Sequence, residues 1–131
     1  MELSAKMQQF VAEVMPAVVG TRRADGTVQL NPIWYEYRAG HFWLNSWRGS
    51  DWMRHLERDG DVTLLLLDPQ NIGRWAQVQG KLVETSAEQG AKHIDALSIR
   101  YTGQPYDYRY NPRPRVRLQI EAIRITGSID R

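Results

Sequence analysis

Two neighbouring stretches, residues 29–37 and 41–48, interleave aromatic and amide side chains with apolar residues. The first reads Gln-Leu-Asn-Pro-Ile-Trp-Tyr-Glu-Tyr, and the second reads His-Phe-Trp-Leu-Asn-Ser-Trp-Arg. A strand with only a structural role does not need tryptophans that alternate with amides, whereas a flat ligand uses both, the rings for stacking and the amides for hydrogen bonds. We therefore interpret these stretches as the floor of a binding site for a flat, anionic ligand.

Arginines flank a predicted helix start that follows the second stretch. Arg48 lies just before Ser50, a favourable N-cap residue, and Arg54 lies in the first turn after it. Free backbone N–H groups, the helix dipole and an arginine together bind phosphate or carboxylate. The alternative is a surface loop capped by Ser50, with Arg54 and Arg58 on a solvated helix face.

The chain has five tryptophans, which are Trp34, Trp43, Trp47, Trp52 and Trp75. A small barrel can use tryptophans to fill its core and a dimer interface, and we expect two or three of the five to do so. The others are suited to a flat heteroaromatic ligand, with Asn31, Asn45 and Gln77 as hydrogen-bonding groups.

Residues 101–110 combine four tyrosines with an arginine and a proline. Long irregular loops inside compact domains often serve as lids or binding loops. The alternative is a loop that only packs over one end of the barrel.

Several function classes are disfavoured. His41, His55 and His93 are isolated from one another and cysteine is absent, so no metal motif is present. The sequence also lacks a Gly-x-Ser-x-Gly elbow and a glycine-rich phosphate loop. A net charge of +2 does not favour nucleic-acid binding. No apolar run suits a membrane span or a signal peptide, so we expect a cytoplasmic protein.

Periodicity predicts a single domain over residues 1–131. The first helix is expected from the apolar stripe Leu3, Met7, Phe10 and Val14, and Pro16 ends it. A second helix is expected over residues 51–58. A third should begin at a capping box at residues 86–89 and run to about Tyr101. Strands are expected over 17–23, 27–37, 41–47, 62–67, 74–84 and 115–126. Pro32 marks an edge or a bulge, and the phase shift at Ala122–Ile123 predicts another bulge. The result is an α+β fold with a six-stranded, mainly antiparallel sheet that closes into a small barrel.

The order and spacing of several segments resemble the pyridoxamine 5'-phosphate oxidase-like split β-barrel family, in particular its small reductases that depend on coenzyme F-420 or FMN. The similar segments are residues 21–35, 53–59, 74–80, 101–106 and 124–127, so the resemblance covers nearly the whole chain.

The resemblance implies a homodimer with cofactor sites at the subunit interface. It places the cofactor phosphate at the helix after Gly49, the ring against strands 31–34 and 45–47, and the Trp75 region of the partner nearby. The implied cofactor-binding residues are Asn31, Pro32, Trp34, Asn45, Ser46, Trp47, Arg48, Ser50, Trp52, Arg54, Trp75 and Gln77. Many relatives carry a lysine where this chain has Trp52, so either Arg48 and Arg54 contact the phosphate here or the ligand differs.

The function implied is an oxidoreductase that transfers a hydride between deazaflavin coenzyme F-420 and an electron-poor small molecule. FMN is the alternative cofactor, and a non-catalytic cofactor- or ligand-binding protein is the alternative function. No catalytic side chain is identified, since Tyr35, Tyr106 or solvent could supply a proton.

Overall fold

The computed structural model describes residues 2–130, which form three α-helices, seven strands and a short 3-10 helix at Ser128–Asp130. The helices are α1 (Ala5–Val11), α2 (Asp51–Asp59) and α3 (Gly90–Thr102). The strands are β1 (Ala17–Arg22), β2 (Val28–Ile33), β3 (Glu36–Arg38), β4 (His41–Trp47), β5 (Asp61–Leu67), β6 (Trp75–Ser86) and β7 (Arg115–Gly127).

All seven strands belong to one antiparallel sheet in the order β2-β1-β5-β6-β7-β4-β3. The strand expected over residues 27–37 is divided at Trp34 and Tyr35, which accounts for seven strands where six were expected. Its two halves form opposite edges of the sheet. Because only two residues separate these edges along the chain, the sheet has to curl until they meet. This confirms the predicted α+β fold with a split barrel.

The core lies on the concave face of the sheet, where alternate strand residues are buried against α1 and α2. The strands contribute Val19, Leu64, Leu66, Val78, Leu118 and Ile120, and the two helices contribute Met7, Phe10, Trp52, Met53 and Leu56. The amphipathic patterns of the first two helices therefore predicted the buried faces correctly.

The first helix ends earlier than its apolar stripe predicted. It stops at Val11, and Val14 is 51% exposed. The hydroxyl of Tyr35 donates to the carbonyl oxygen of Val11, and the Arg100 guanidinium donates to that of Ala12. Side chains from distant segments thus satisfy carbonyl groups at the helix end, which the sequence pattern could not indicate.

The third helix begins at Gly90 rather than at the predicted capping box. The hydroxyl of Ser86 does accept a hydrogen bond from the amide of Gln89, but residues 86–89 form a strand end and a turn. The helix then covers β7 and β4, so that Arg117 and Gln119, expected to face solvent, are half-buried. The predicted alternation of β7 is therefore correct, but the face expected to be exposed to solvent packs against α3.

The edge position of Pro32 and the bulge at Ile123 are both confirmed. Pro32 lies in the edge strand β2, where its missing N–H removes no central ladder bond. Along β6, Gly80 is opposite Ala122 and Gln79 is opposite Arg124, which leaves Ile123 without a partner in the ladder. The predicted phase shift thus corresponds to one extra residue.

The convex face of β2, β1, β5 and β6 carries apolar and amide side chains that this chain leaves uncovered. Leu30 is 66% exposed and stands in one row with Gly20, Thr63 and Gln79. The neighbouring row contains Pro32, Val18, Leu65 and Gln77. Strand β5 was expected to be buried on both faces, but in the single chain Thr63 is exposed and Leu65 is only half-buried.

Candidate functional site

A cavity of about 440 Å³ opens where the two edges of the sheet meet. Its walls come from the β2–β3 link, the end of β4, the start of α2, one side of α3 and the segment from Val14 to Ala17. Six of the twelve residues implied by the resemblance line this cavity, namely Pro32, Trp34, Asn45, Ser46, Trp47 and Trp52. The fold therefore brings half of that set to one place.

A stacked aromatic pair forms one wall of the cavity. The rings of Trp34 and Tyr101 have centroids 5.4 Å apart and are tilted by 15°. The Tyr101 hydroxyl donates to the carbonyl oxygen of Met15 at 2.7 Å and accepts from the amide of Tyr35 at 3.2 Å. Burial raises the pKa of Tyr101, which keeps its hydroxyl protonated. The wall is thus fixed to both the α1–β1 segment and the β2–β3 link.

Asn45 uses its amide within the protein. Its Nδ2 donates to the carbonyl oxygen of Gly90 at 3.0 Å and lies 3.2 Å from Nδ1 of His93. Its Oδ1 accepts from Nε of Arg115 at 2.8 Å. Since an arginine nitrogen can only donate, the amide orientation is fixed, and His93 Nδ1 acts as an acceptor. Asn45 therefore joins β4, α3 and β7 at the cavity wall.

Arg115 is the only basic residue among the described residues that line the cavity. It is half-buried, and its guanidinium carbon lies 5.1 Å from the ring centroid of Tyr106. Its Nη1 approaches the Tyr106 hydroxyl at 3.4 Å. Desolvation lowers the pKa of Arg115, although the group stays charged. The sequence pattern missed this residue because it appeared as one of several outward arginines in β7.

A buried imidazole connects Asn45 to a carboxylate. His93 is buried in α3, and its Nε2 lies 3.4 Å from Oε1 of Glu36, too poorly aligned for a hydrogen bond by strict geometry. Because Nδ1 accepts from Asn45, the imidazole proton is on Nε2, on the side of Glu36. Interaction with His93 is the largest cause that lowers the pKa of Glu36, ahead of Arg38. A polar chain thus runs from Glu36 to Arg115.

The start of α2 differs from the predicted N-cap in one respect. Ser50 occupies the N-cap position, but its side chain makes no capping hydrogen bond. Instead its hydroxyl lies 2.6 Å from that of Ser46, and both are buried. Arg54 pairs with Asp51 on the helix surface. The first-turn N–H groups are therefore not capped by Ser50, and Arg54 already has an acidic partner.

The remaining implied residues lie outside the cavity lining. Asn31 accepts a hydrogen bond from Gln29 within β2, and Arg48 is exposed directly after β4. Trp75 and Gln77 lie at the start of β6, where Gln77 is exposed on the convex face. Within one chain the structure does not bring these four residues to the cavity.

The tyrosine-rich segment, residues 101–110, contributes two residues to the cavity, Tyr101 (described above) and Tyr106. Tyr106 packs edge-on against Tyr108 at 5.0 Å and donates its amide proton to Asp95. Tyr110 is 87% exposed. Arg109 pairs with Asp107 and lowers the pKa of that carboxyl to about 2.

Tyr35 does not line the cavity. Its side chain is fully buried, and its hydroxyl donates to the carbonyl oxygens of Val11 and Glu13. Burial raises the pKa of Tyr35 well above its ordinary value. This residue therefore supports the fold, and of the two tyrosines considered as proton donors only Tyr106 reaches the cavity.

Two further findings concern residues 2–130. No cluster of three or more histidine, aspartate or glutamate side chains is arranged to hold a metal ion there. None of the helices in this part of the chain is long and apolar enough to cross a membrane.

The sequence model of the family described as pyridoxamine 5'-phosphate oxidase matches residues 3–127. No curated protein sequence is significantly similar to the chain.

Solved structures have the same fold. An F-420 reductase superposes with a TM-score of 0.81 at 18% identity, over 91% of this chain and 94% of that one. A conserved hypothetical protein from Mycobacterium tuberculosis superposes with a TM-score of 0.72 at 26% identity, over 95% of this chain and 83% of that one. A putative pyridoxamine 5'-phosphate oxidase from Listeria innocua superposes with a TM-score of 0.71 at 16% identity, over 95% of this chain and 97% of that one.

Proposed function

Because the chain belongs to the pyridoxamine 5'-phosphate oxidase family, we propose that it is an oxidoreductase whose cavity receives the ring of a flavin-type cofactor. Deazaflavin coenzyme F-420 is the first candidate and FMN the second. This order follows the resemblance of residues 21–35, 53–59, 74–80, 101–106 and 124–127 to the small F-420- or FMN-dependent reductases. The superposition with an F-420 reductase, at a TM-score of 0.81 and 18% identity, concerns the fold alone.

The cavity walls carry this proposal. Trp34 and Tyr101 present stacked rings, Trp47 and Trp52 add two indoles, and the volume of about 440 Å³ lies within the usual range for small-ligand sites. A flat heteroaromatic ring fits such walls because stacking and desolvation both favour it. The cavity therefore has the surface chemistry that a tricyclic ring requires.

When bound, such a cofactor supplies hydride transfer, while the protein provides binding, orientation and water exclusion. The Trp34–Tyr101 pair orients a ring lying against it. Asn45 holds the Arg115 guanidinium at the cavity wall through the 2.8 Å hydrogen bond. Tyr106 is the proton donor in this proposal, since its hydroxyl lies 3.4 Å from a positive guanidinium nitrogen that stabilises a developing phenolate.

The anionic part of the cofactor is assigned to the start of α2. The first-turn N–H groups there are not capped by Ser50, and Arg48 lies just before the helix. Arg54 contributes less, because Asp51 neutralises it. Trp52 is 5% exposed in the cavity wall, so position 52 contributes an apolar surface and no charge.

We also propose a homodimer that covers the convex face of the sheet and brings the Trp75 and Gln77 region of one subunit to the cavity of the other. The exposed Leu30 and the amides beside it suit an interface between copies. Sedimentation should give a dimer for the parent chain and a monomer for Leu30→Glu. Ile72→Glu is the control, since Ile72 is 71% exposed on the β5–β6 turn. A monomeric parent would contradict this part of the proposal.

Titration of the purified protein with coenzyme F-420 and with FMN tests the cofactor assignment. We expect saturable binding of one of them, followed by absorbance and by quenching of tryptophan fluorescence. Trp34→Ala should weaken binding by about tenfold or more, because one stacking surface is lost. Ile72→Ala should leave binding unchanged. If neither cofactor binds saturably, the proposal fails.

The second candidate, a non-catalytic binding protein, is favoured by one observation, the absence of charge at Trp52. Cofactor binding without turnover of any electron-poor acceptor would support it. Turnover that is reduced in Tyr106→Phe at unchanged cofactor affinity would instead support the enzyme. A cytoplasmic location remains a prediction.

A further inference from the structure

Three arginines neighbour Trp47, and of these only Arg115 lines the cavity. Arg115 is directly opposite Trp47 in the β4–β7 ladder, and the guanidinium carbon of Arg113 lies 5.7 Å from the Trp47 ring centroid. Arg48 follows Trp47 in the chain, and its amide donates to the carbonyl oxygen of Pro114 at 2.8 Å. Arg48 is already assigned to the anionic part of the cofactor, so we call only Arg113 and Arg115 the arginine cluster.

The arginine cluster lacks acidic partners within residues 2–130. Seven other arginines each lie within 4.0 Å of a carboxylate, namely Arg22, Arg38, Arg54, Arg58, Arg74, Arg109 and Arg117. No member of the cluster has such an ion pair in the described part of the chain. Positive charge is therefore compensated over much of the surface and uncompensated beside Trp47.

Burial makes the missing partner costly at Arg115. Its guanidinium is half-buried and desolvated, which lowers its pKa. Nε is held by Asn45 and Nη1 by a long contact with Tyr106, and no hydrogen bond engages Nη2 within residues 2–130. A desolvated charge without a counter-ion destabilises a protein unless an anion binds to it. A bound anion would offset this cost.

Nearby acidic groups are already engaged elsewhere. Asp51 pairs with Arg54, and Asp95 accepts the amide proton of Tyr106. Glu36 lies beside His93 and Arg38. None of the three lies within ion-pair distance of the arginine cluster, so the cluster is available to a ligand.

From this arrangement we propose that the arginine cluster binds the negative group of the substrate, and that the substrate class is a planar organic anion such as an aromatic or conjugated carboxylate. The claim that the bound anion is a substrate rests on the proposed function, whereas the claim that the arginine cluster binds an anion does not. Arg115 presents its guanidinium beside Tyr106, and Arg113 presents its own over Trp47. Alternating rings and guanidinium groups stack a planar body and pair with its charge.

The first test uses 1-naphthoate and its neutral analogue 1-naphthamide, titrated by calorimetry into the protein without cofactor. We expect naphthoate to bind about tenfold more tightly or better, because a charge-assisted hydrogen bond exceeds a neutral one. Its affinity should fall with added salt. Equal affinities for the acid and the amide would overturn the proposal.

Substitutions assign the binding to the cluster. Arg113→Gln and Arg115→Gln should each weaken naphthoate by about tenfold and leave naphthamide unchanged. Arg23→Gln is the matched control, since Arg23 is exposed in the β1–β2 hairpin and also lacks an ion pair within residues 2–130. Arg113 is exposed, so its variant keeps the test valid even if Arg115→Gln unfolds. Equal losses in Arg23→Gln and Arg113→Gln would contradict the assignment.

The same variants separate a substrate anion from the anionic tail of a cofactor. If the substrate supplies the anion, Arg113→Gln keeps the parent's affinity for coenzyme F-420 and FMN while naphthoate binding is weakened. If the cofactor supplies it, cofactor affinity falls and naphthoate competes with it, which overturns the substrate assignment. If no cofactor binds but naphthoate binding still requires the cluster, the proposed function fails and the anion site stands.

Discussion

Gly90→Ala is expected to destabilise the protein although it adds one methyl group and improves helix propensity. A Cβ atom at Gly90 would lie 1.9 Å from the carbonyl oxygen of Arg115 and 2.8 Å from the amide nitrogen of Val116. Both are backbone atoms of β7, so no side chain can rotate away. The start of α3 has to retreat from β7 by on the order of 1 Å.

The expected loss follows from three contributions. Overpacking against backbone costs about 3 kcal/mol, and the Asn45 hydrogen bond to the Gly90 carbonyl, about 1 kcal/mol, is lost as well. The gain in helix propensity from glycine to alanine offsets about 1 kcal/mol. The free energy of unfolding should therefore fall by about 3 kcal/mol in urea titrations followed by tryptophan fluorescence.

Gly73→Ala is the control for this experiment. The added Cβ at Gly73 meets only the side-chain oxygen of Asn71, at 3.1 Å. Its unfolding free energy should stay within about 1 kcal/mol of the parent. The reasoning is refuted if Gly90→Ala also stays within that range, because α3 would then pack on β7 more loosely than the distances require. Naphthoate binding should weaken along with stability, since Asn45 orients Arg115.

Three further predictions concern polar side chains that are buried, as in Tyr35 and Asn45, or half-buried, as in Glu36. Glu36→Gln should lower the unfolding free energy at neutral pH by about 1 kcal/mol. Since contact with His93 lowers the folded-state pKa of Glu36 below 4.5, its contribution is present above that pH and is lost as the pH falls. Urea titrations at about pH 7 and about pH 3 should therefore show a difference from the parent only at the higher pH. Tyr35→Phe should cost about 1–3 kcal/mol and should leave turnover unchanged, because the buried carbonyl of Val11 loses its side-chain donor while that of Glu13 keeps Arg100. Asn45→Ala should lower the free energy of unfolding by about 2–4 kcal/mol in thermal and urea unfolding. It should also weaken naphthoate binding, because Arg115 loses its hydrogen bond to Asn45. A loss of stability below about 1 kcal/mol would contradict the role of Asn45 in joining β4, α3 and β7.

Local patterns predicted much of the fold. The helix at Asp51–Asp59, the edge position of Pro32 and the bulge at Ile123 each follow from a few adjacent residues. Such features depend on backbone geometry and on one buried face, which short-range periodicity records. The early end of α1 depends on Tyr35 and Arg100 instead, which lie far along the chain.

The candidate site was predicted less completely. Trp34, Asn45 and Trp47 were identified because aromatic and amide residues alternate along two adjacent strands. Arg115 was missed as a cavity-lining residue, since that location depends on its position opposite Trp47 in the β4–β7 ladder and on its contacts with Asn45 and Tyr106. The amide of Asn45, expected to bind a ligand, instead forms hydrogen bonds with Gly90, His93 and Arg115. Composition and spacing cannot reveal these long-range partners.

The strand order also has a consequence for the sequence of folding events. The β3–β4 hairpin is synthesised before β5, yet within the described sheet β4 pairs on its other side only with β7, which begins at Arg115. More than half of the chain therefore has to be synthesised after β4 before the hairpin can pair with β7 and join the sheet. Such a pairing has a high contact order. The cavity, which both parts of the sheet line, can form only at that last step.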